Sequence, residues 1–440
     1  MLVTLKNIVP LILYLFGSII IIFLSLRGKI HLSLLLLIPL FSLQNVMERL
    51  HPYPMGNQFI DFMLIAMILG WVFKAISNRE KIFVSAPFNT ILFLMAIYTY
   101  ISLWRGSFYL GFPMPISVSD TRLQTWKNYM LLPLLFFITL NNIKTLKQIK
   151  WLIIAMILSM FIMDYYTGNQ VRWMSGIISR DKIHGTFVWL GPNELAAFYA
   201  TYTFVLLGIL FFDRVKLRRI FLAIAIMLNI YCVLFLYSRG AYVAILSGLI
   251  FISFFKNKIF LVPLILFLFF WQAILPTKVV ERINQTKTEE GTLDPSSQYR
   301  LEMWKECFGL LKNNSIMGIG FNTVPYLGLT LGDTHNIYVK VLTEQGIIGM
   351  AIFLILLFTA LKIGWRLYKS AKDRFLKGLG LGFAACVIAT MVVNFFGDRF
   401  TYLQLGAYFW VFLGLTVRGN IISQEELGKR GSSRRQNKSR

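Results

Sequence analysis

The sequence predicts an all-α polytopic membrane protein of about 12 to 13 transmembrane helices with one long, partly helical extracytoplasmic loop. Of its 440 residues, 57% are hydrophobic and only 15% are charged, so a soluble fold would have no interior large enough for its apolar surface. The apolar runs do not alternate with polar residues as the strands of a membrane barrel would. Helices are therefore the predicted spanning elements.

Thirteen stretches approach the length of about 20 apolar residues that a helix needs to cross a bilayer. They lie roughly at 8–26, 30–46, 59–76, 88–104, 126–142, 148–166, 189–212, 219–237, 241–256, 259–275, 346–366, 375–397 and 400–417. The first stretch has no small-residue cleavage site, which indicates a retained helix rather than a signal peptide.

The distribution of positive charge predicts the orientation of these helices. Alternate connections and the C-terminal tail hold 27 of the 44 lysines and arginines but only five of the 20 acidic residues. Cytoplasmic connections carry such an excess, so this side is predicted to be cytoplasmic. The net charge of +24 is then a consequence of topology, and we expect no nucleic-acid partner.

Four regions follow from this pattern. Residues 1–275 are predicted to hold about ten transmembrane helices, and 276–345 a large periplasmic loop. Residues 346–418 hold the C-terminal transmembrane helices. The basic tail at 419–440 is predicted to be disordered and to lie near lipid.

The long loop contains the most distinctive polar pattern. After a turn at Asp294-Pro295-Ser296-Ser297, the spacing of Leu301, Trp304, Phe308 and Leu311 predicts an amphipathic helix. Arg300 opens this helix beside its apolar face. Gly318-Ile319-Gly320 predicts a tight turn, and no strand precedes it, so it is not a dinucleotide-binding motif. A second helix is predicted to start near Asp333 or Thr334 and to hold His335 and Asn336 in its first turn.

Two shorter segments reach the same predicted surface. Pro192-Asn193-Glu194 suits the first turn of a helix, and a structural cap explains it as well as a binding site does. Tyr237-Ser238-Arg239-Gly240 predicts a short hairpin between two helices. Its arginine either extends to lipid headgroups or forms a rigid phosphate-binding group.

His335 has two readings from position alone: a residue that packs near a helix cap, or a general base. Its placement in the long loop with Arg300 favours the base. No second histidine or carboxylate lies at a spacing that suits zinc, and the three cysteines are dispersed. We therefore predict no metal site and no cofactor.

At these residues the chain resembles the bacterial O-antigen ligase and O-antigen polymerase family of undecaprenyl-pyrophosphate-dependent membrane glycosyltransferases. The resemblance covers about residues 185–410. It is carried by Gly185-Thr186-Phe187, Pro192-Asn193-Glu194-Leu195-Ala196, Ser238-Arg239-Gly240, Arg300 with Trp304, Gly318-Ile319-Gly320, Thr334-His335-Asn336, Glu344, Gly346 and Gly349.

The resemblance implies a GT-C-like, inverting, metal-independent enzyme of lipopolysaccharide or other cell-envelope polysaccharide biosynthesis. His335 would be the general base, and Arg239 and Arg300 would hold the donor pyrophosphate. Supporting roles would fall to Asn193, Gly320, Asn336 and Glu344. The partners would be an undecaprenyl-pyrophosphate-linked glycan, a glycolipid or glycan acceptor such as lipid A core, and the bilayer.

Three other functions stay open at this point. A repeat-unit polymerase would use the same donor with a second lipid-linked glycan as acceptor. A polysaccharide transporter or flippase would place charged residues near the middle of the membrane and often repeat its halves, and neither pattern is evident. A structural membrane subunit would make the placement of the arginines and histidine coincidental.

Overall fold

The computed structural model describes residues 10–173, 180–284, 295–330 and 332–438, in which all regular secondary structure is helical. In chain order the helices are α1 (Pro10–Leu26), α2 (Ile30–Ser42), α3 (Gln44–Met47), α4 (Phe59–Ser77), α5 (Pro87–Tyr109), α6 (Thr121–Asn142), α7 (Leu146–Trp173), α8 (Pro192–Phe212), α9 (Lys216–Phe235), α10 (Arg239–Lys256), α11 (Leu261–Ile274), α12 (Thr277–Asn284), α13 (Pro295–Leu311), α14 (Ile337–Ser370), α15 (Arg374–Val393) and α16 (Leu403–Lys438). The prediction of an all-α polytopic membrane protein is confirmed.

Over the described residues the candidate spans number nine to eleven, against the 12 to 13 predicted for the whole chain. Within the described ranges nine helices are long and apolar enough to cross a membrane, namely α4, α5, α7, α8, α9, α10, α14, α15 and α16. Two bent pairs, α2 with α3 and α11 with α12, raise the number to eleven if each pair is one span. The other two predicted stretches form α1, which is short, and α6, whose polar ends lower its mean hydropathy.

The centre of the bundle is formed by α8, α15 and α16, which are the most buried spans. Close packing of α8 against α15 depends on small residues, because a Cβ on Gly208 would lie 2.4 Å from Gly382 Cα. Without a hydrophobic driving force inside lipid, such close approach is a main source of helix association. In contrast, no residue of α11 is buried, so this helix lies at the edge of the bundle.

The long loop packs on one end of the bundle, which we call the loop side. Its helix α13 buries Met303 and Cys307 rather than the predicted Leu301 and Phe308, which are exposed. Burial raises the pKa of the Cys307 thiol to about 11. The loop therefore has a small apolar core of its own.

The last loop helix and the following span are one element, α14, bent at Gly346. There the backbone has φ 65° and ψ −165°, and a Cβ would lie 2.3 Å from the carbonyl oxygen of Ile316. Only glycine tolerates both conditions. At the other terminus the backbone of α16 is helical to Lys438. The helix of the last span thus continues into the basic tail, and the disorder predicted for residues 419–440 stays a prediction.

Candidate functional site

A cavity of about 1400 Å³ lies between α8, α10, α11 and α13. Most of its wall is apolar, with side chains such as Leu207, Phe211, Leu264, Phe267 and Trp271. Its loop-side end is cationic and is lined by five arginines: Arg180, Arg239, Arg282, Arg300 and Arg399. The cavity therefore joins a strongly positive end to a long apolar compartment.

The predicted pair Arg239 and Arg300 meets in this cavity although the two residues come from different elements. Arg239 is the first residue of α10, at the end of the short connection after α9, as the sequence predicts. Arg300 lies in the second turn of α13, within the long loop. Because the N-terminus of α10 also points its free amide groups to this end, backbone and side chains favour an anion together.

Asn193 also lines the cavity and fixes another arginine. Arg180 donates from Nη2 to Asn193 Oδ1 (2.7 Å) and from Nε to the carbonyl of Leu236 (3.0 Å). Burial, and then the charge of Arg282, lower the pKa of Arg180 below its usual value. The effect of Arg282, which Asp181 and Glu194 oppose, indicates that positive charges lie close together here, a condition that a bound anion relieves.

Two ion pairs connect the cavity to the last helices. Arg399 forms an ion pair with Glu194 in the first turn of α8, and both side chains are largely buried. Next to it, Asp398 accepts a hydrogen bond from Lys340 of α14 at 3.0 Å, and its side chain is 1% exposed. Burial opposes ionisation of Asp398, yet Lys340 and Thr401 hold its pKa below the usual value.

His335 lies beside the cavity rather than in its wall. Its backbone has φ 49°, its side chain is 40% exposed, and its Nδ1 lies 3.6 Å from Asp333 Oδ2. Burial lowers the pKa of His335 below 6.5; Asp333 and Glu194 raise it, whereas Arg300 and Arg399 lower it. The imidazole is therefore neutral near pH 7 and close to the charges of the site.

Asn336 is the N-cap of α14, and the predicted start of this helix was wrong by about one turn. The Oδ1 of Asn336 accepts hydrogen bonds from the amides of Tyr338 (2.9 Å) and Val339 (3.3 Å). A side chain that accepts hydrogen bonds from these two amides marks the N-terminal boundary of the helix at its own position. His335 and Asn336 therefore precede α14 instead of forming its first turn.

The other two predicted supporting residues shape the loop away from the cavity. Glu344 is 1% exposed, and its carboxylate accepts hydrogen bonds from the amides of Asn322 (3.0 Å) and Val324 (3.3 Å). Gly320 packs on α5, where a Cβ would lie 2.0 Å from Gly106 Cα. Both residues hold the 318–324 turn against the bundle.

Sequence reasoning missed Arg180, Arg282 and Arg399 as members of the cationic end. All three belong to the predicted outer side, where the positive-inside rule makes arginine less frequent. An arginine on the side where the positive-inside rule makes it infrequent was the available sign of a functional role. Nothing in the sequence indicated that the three would converge, because they come from widely separated parts of the chain.

The described residues contain no group of three or more histidine, cysteine, aspartate or glutamate side chains arranged to hold a metal ion. The fold defines a multi-pass membrane protein whose cavity is cationic at one end and apolar along the rest of its wall. Residues 222–354 match the family model described as O-antigen ligase. This match supports the resemblance over these residues, and with it an O-antigen ligase-type membrane enzyme.

The matched region contains Arg239, Arg300, Gly320, His335, Asn336 and Glu344, whereas Asn193 lies before it. A search of curated proteins found no match to the chain.

Proposed function

We propose that the chain is a membrane glycosyltransferase that moves a glycan from undecaprenyl pyrophosphate to an acceptor hydroxyl, on lipid A core or a similar glycolipid. The reaction would take place at the periplasmic face of the bacterial inner membrane. The observation that carries this proposal is the cavity, which joins five arginines to an apolar compartment. A polyprenyl pyrophosphate has the same division into a doubly charged head and a long hydrocarbon chain.

The dimensions of the cavity support a lipid donor. On α10 its wall extends from Arg239 to Ser253, a distance of about 20 Å at the helical rise of 1.5 Å per residue. This is most of the thickness of a hydrocarbon core of about 30 Å. A prenyl chain can therefore lie along α10 and the exposed edge helix α11 while its head stays among the arginines.

The arginines suit the departure of the pyrophosphate. As the bond between the anomeric carbon and the phosphate oxygen breaks, the electron pair remains on the lipid pyrophosphate. Guanidinium groups that form bidentate hydrogen bonds to the pyrophosphate stabilise the developing negative charge. In this proposal Arg239 and Arg300 contact the pyrophosphate, and the positive charge of the arginines makes the transfer independent of a metal.

His335 then serves as the general base. Asp333 lies beside Nδ1 and electrostatically favours a proton on that nitrogen, which leaves Nε2 free to accept the proton of the acceptor hydroxyl. The acceptor oxygen attacks the anomeric carbon from the face opposite the pyrophosphate, so the configuration inverts. General bases of this kind typically contribute a factor of about 10² to 10⁴.

The orientation and the regional roles complete the proposal. The basic connections lie at the end of the bundle opposite the loop side, which supports a cytoplasmic location for that end. Residues 276–345 would then form the periplasmic catalytic loop. The helices of residues 1–275 and 346–418 would enclose the donor, and residues 419–440 would face the cytoplasm.

The first test is a glycan profile of a disruption strain complemented with variants. Loss of a ligase leaves long glycan on the carrier lipid, whereas loss of a polymerase leaves single repeat units. We expect the His335→Ala variant to accumulate at a normal level and to give the same profile as the empty strain. The matched control is His51→Ala, an exposed histidine of another connection, which should restore transfer fully. Normal transfer by His335→Ala would remove the base assignment.

The second test addresses the pyrophosphate. We expect Arg239→Ala and Arg300→Ala to weaken binding of the lipid-linked donor to purified protein, by about 10- to 100-fold each for the loss of a charged hydrogen-bond pair. Arg49→Ala, which changes an exposed arginine outside the cavity, is the control. Unchanged donor affinity in both cavity variants contradicts the assigned role.

A further inference from the structure

The segment 184–190 is a compact turn that exposes one aromatic ring. Phe187 is completely buried, whereas Trp189, two residues later, is 58% exposed. Between them, Val188 has φ 52°. This conformation is unfavourable for a β-branched residue and persists only where the surroundings impose it, which is common at functional sites.

Hydrogen bonds hold the rest of this turn in place. Gln170 Oε1 accepts from the amides of His184 (3.1 Å) and Gly185 (2.7 Å), and His184 Nδ1 is 2.9 Å from the carbonyl oxygen of Leu190. Thr186 donates to the carbonyl of Ser42 at 2.7 Å. The turn is therefore rigid, and its only exposed large side chain is that of Trp189.

The Trp189 ring is next to Tyr402, close to the predicted base. The two ring centroids are 5.6 Å apart with planes at 68°. Burial raises the pKa of the Tyr402 hydroxyl, as do the charges of Asp398 and Asp333, while Lys340 and Arg399 lower it. The connection that holds Tyr402 is bound to the start of α14, because Asp398 Oδ2 accepts a hydrogen bond from Lys340 at 3.0 Å. This helix begins two residues after His335, so Tyr402 lies on a segment that packs near His335.

Charged and aromatic side chains both lie near His335. The positive charges of Arg300 and Arg399 act on it, and the donor pyrophosphate is placed at these arginines in the proposed function. Tyr402, on the connection that Asp398 binds to α14, forms an aromatic pair with the exposed Trp189. Such a surface suits the C–H face of a pyranose, while the tyrosine hydroxyl suits its polar edge.

We propose that Trp189 and Tyr402 form the acceptor subsite, a platform on which a sugar ring of the acceptor glycan stacks so that its hydroxyl reaches His335. This inference rests on the proposed function. The other role for an exposed tryptophan at this depth is an anchor in the membrane interface. A rigid, strained turn and the position beside His335 favour the sugar, and the experiment separates the two roles.

The experiment measures initial rates of purified protein in lipid nanodiscs. The donor is an undecaprenyl-pyrophosphate-linked glycan, and the acceptor is rough-type lipopolysaccharide or a second lipid-linked repeat unit, whichever the wild-type protein uses. For Trp189→Ala we expect the acceptor concentration at half-maximal rate to rise about tenfold, from the loss of one stacking contact. The donor concentration at half-maximal rate should stay within about twofold.

Conservative variants keep the test independent of folding. Trp189→Phe retains a ring and should recover most of the acceptor affinity, and Tyr402→Phe should raise the acceptor requirement less than Trp189→Ala. Trp104→Ala changes another exposed tryptophan, on α5, and should leave both requirements unchanged. The pH profile should be the same in every variant because His335 is intact.

The possible failures are distinguishable. If Trp189→Ala leaves the acceptor requirement unchanged while His335→Ala abolishes transfer, the platform is refuted and the proposed function stands. A donor requirement that rises as much as the acceptor requirement also refutes the platform. If the wild-type protein transfers glycan to neither acceptor, the proposed function fails and the subsite fails with it.

Discussion

The ion pair between Lys340 and Asp398 gives the sharpest prediction for the architecture of the site. It joins α14, whose N-cap follows His335, to the connection that carries Arg399. Asp398→Asn removes the charge but keeps the oxygen that accepts from the amides of Phe400 (3.2 Å) and Thr401 (3.0 Å). The variant therefore keeps the backbone hydrogen bonds of the local turn and changes the Oδ2 contacts with Lys340 and the Thr401 hydroxyl.

The magnitude follows from burial. The side chain of Asp398 is 1% exposed and that of Lys340 is 24% exposed, so the remaining ammonium group would lose its partner with little access to water. Breaking a buried pair by removing one partner costs roughly 3–5 kcal/mol. Because Lys340 is partly accessible, we expect about 3 kcal/mol, at the lower limit of that range.

The assay is a double-mutant cycle on the free energy of unfolding in detergent or nanodiscs. Asp398→Asn and Lys340→Met are measured alone and together. If the pair is coupled, the double variant should be less destabilised than the sum of the single variants by about 1–3 kcal/mol. Glycan transfer should fall in each single variant and recover in part in the double variant. Additive effects, or a cost below about 0.5 kcal/mol for Asp398→Asn, would refute the reasoning.

Three further predictions concern the loop. Because the base must be neutral, transfer should rise with pH through the His335 pKa, which burial lowers below its usual value. Asp333→Asn removes a carboxylate that raises this pKa, so the acid limb of the pH–rate profile should move to lower pH. A shift to higher pH would contradict the assignment. Asn336→Ala should cost about 1 kcal/mol of unfolding free energy as the cap of α14 is lost, whereas Asn336→Asp should keep most of it. Gly320→Ala should lower both stability and transfer, since its Cβ would lie 2.0 Å from the backbone of α5. The control is Gly309→Ala, whose Cβ would meet nothing within 4 Å and which should stabilise α13 by up to about 1 kcal/mol. Equal behaviour of the two variants in thermal unfolding and glycan transfer would contradict the packing argument.

Much of the fold was predictable because a bilayer imposes strict rules on a sequence. Each apolar stretch forms a helix. As predicted, Pro192 starts a helix, and Arg239 follows a short connection between two helices. Over the described residues, the difference in the number of spans comes from α1, from the polar ends of α6 and from the bends in α2–α3 and α11–α12. Hydropathy measures composition over a window and contains no information on bends.

The site was predictable only in part. Arg239 and Arg300 were nominated from short motifs, and the cavity brings them together. Arg180, Arg282 and Arg399 were not nominated, because single arginines at helix ends have no motif. Asn193 gained a specific partner, whereas Glu344 and Gly320 proved to support the loop.

By itself, the sequence determined the membrane class, the orientation expected from charge, and the residue types available for chemistry. These properties depend on local composition, because each segment must match the membrane or aqueous region that surrounds it. Only the tertiary structure decided that five distant arginines meet at one end of an apolar cavity, that the connection of Arg399 and Tyr402 is bound to the helix that follows His335, and that Asn336 caps that helix. Such convergence depends on how the helices pack, and packing is a property of the whole bundle rather than of any one segment.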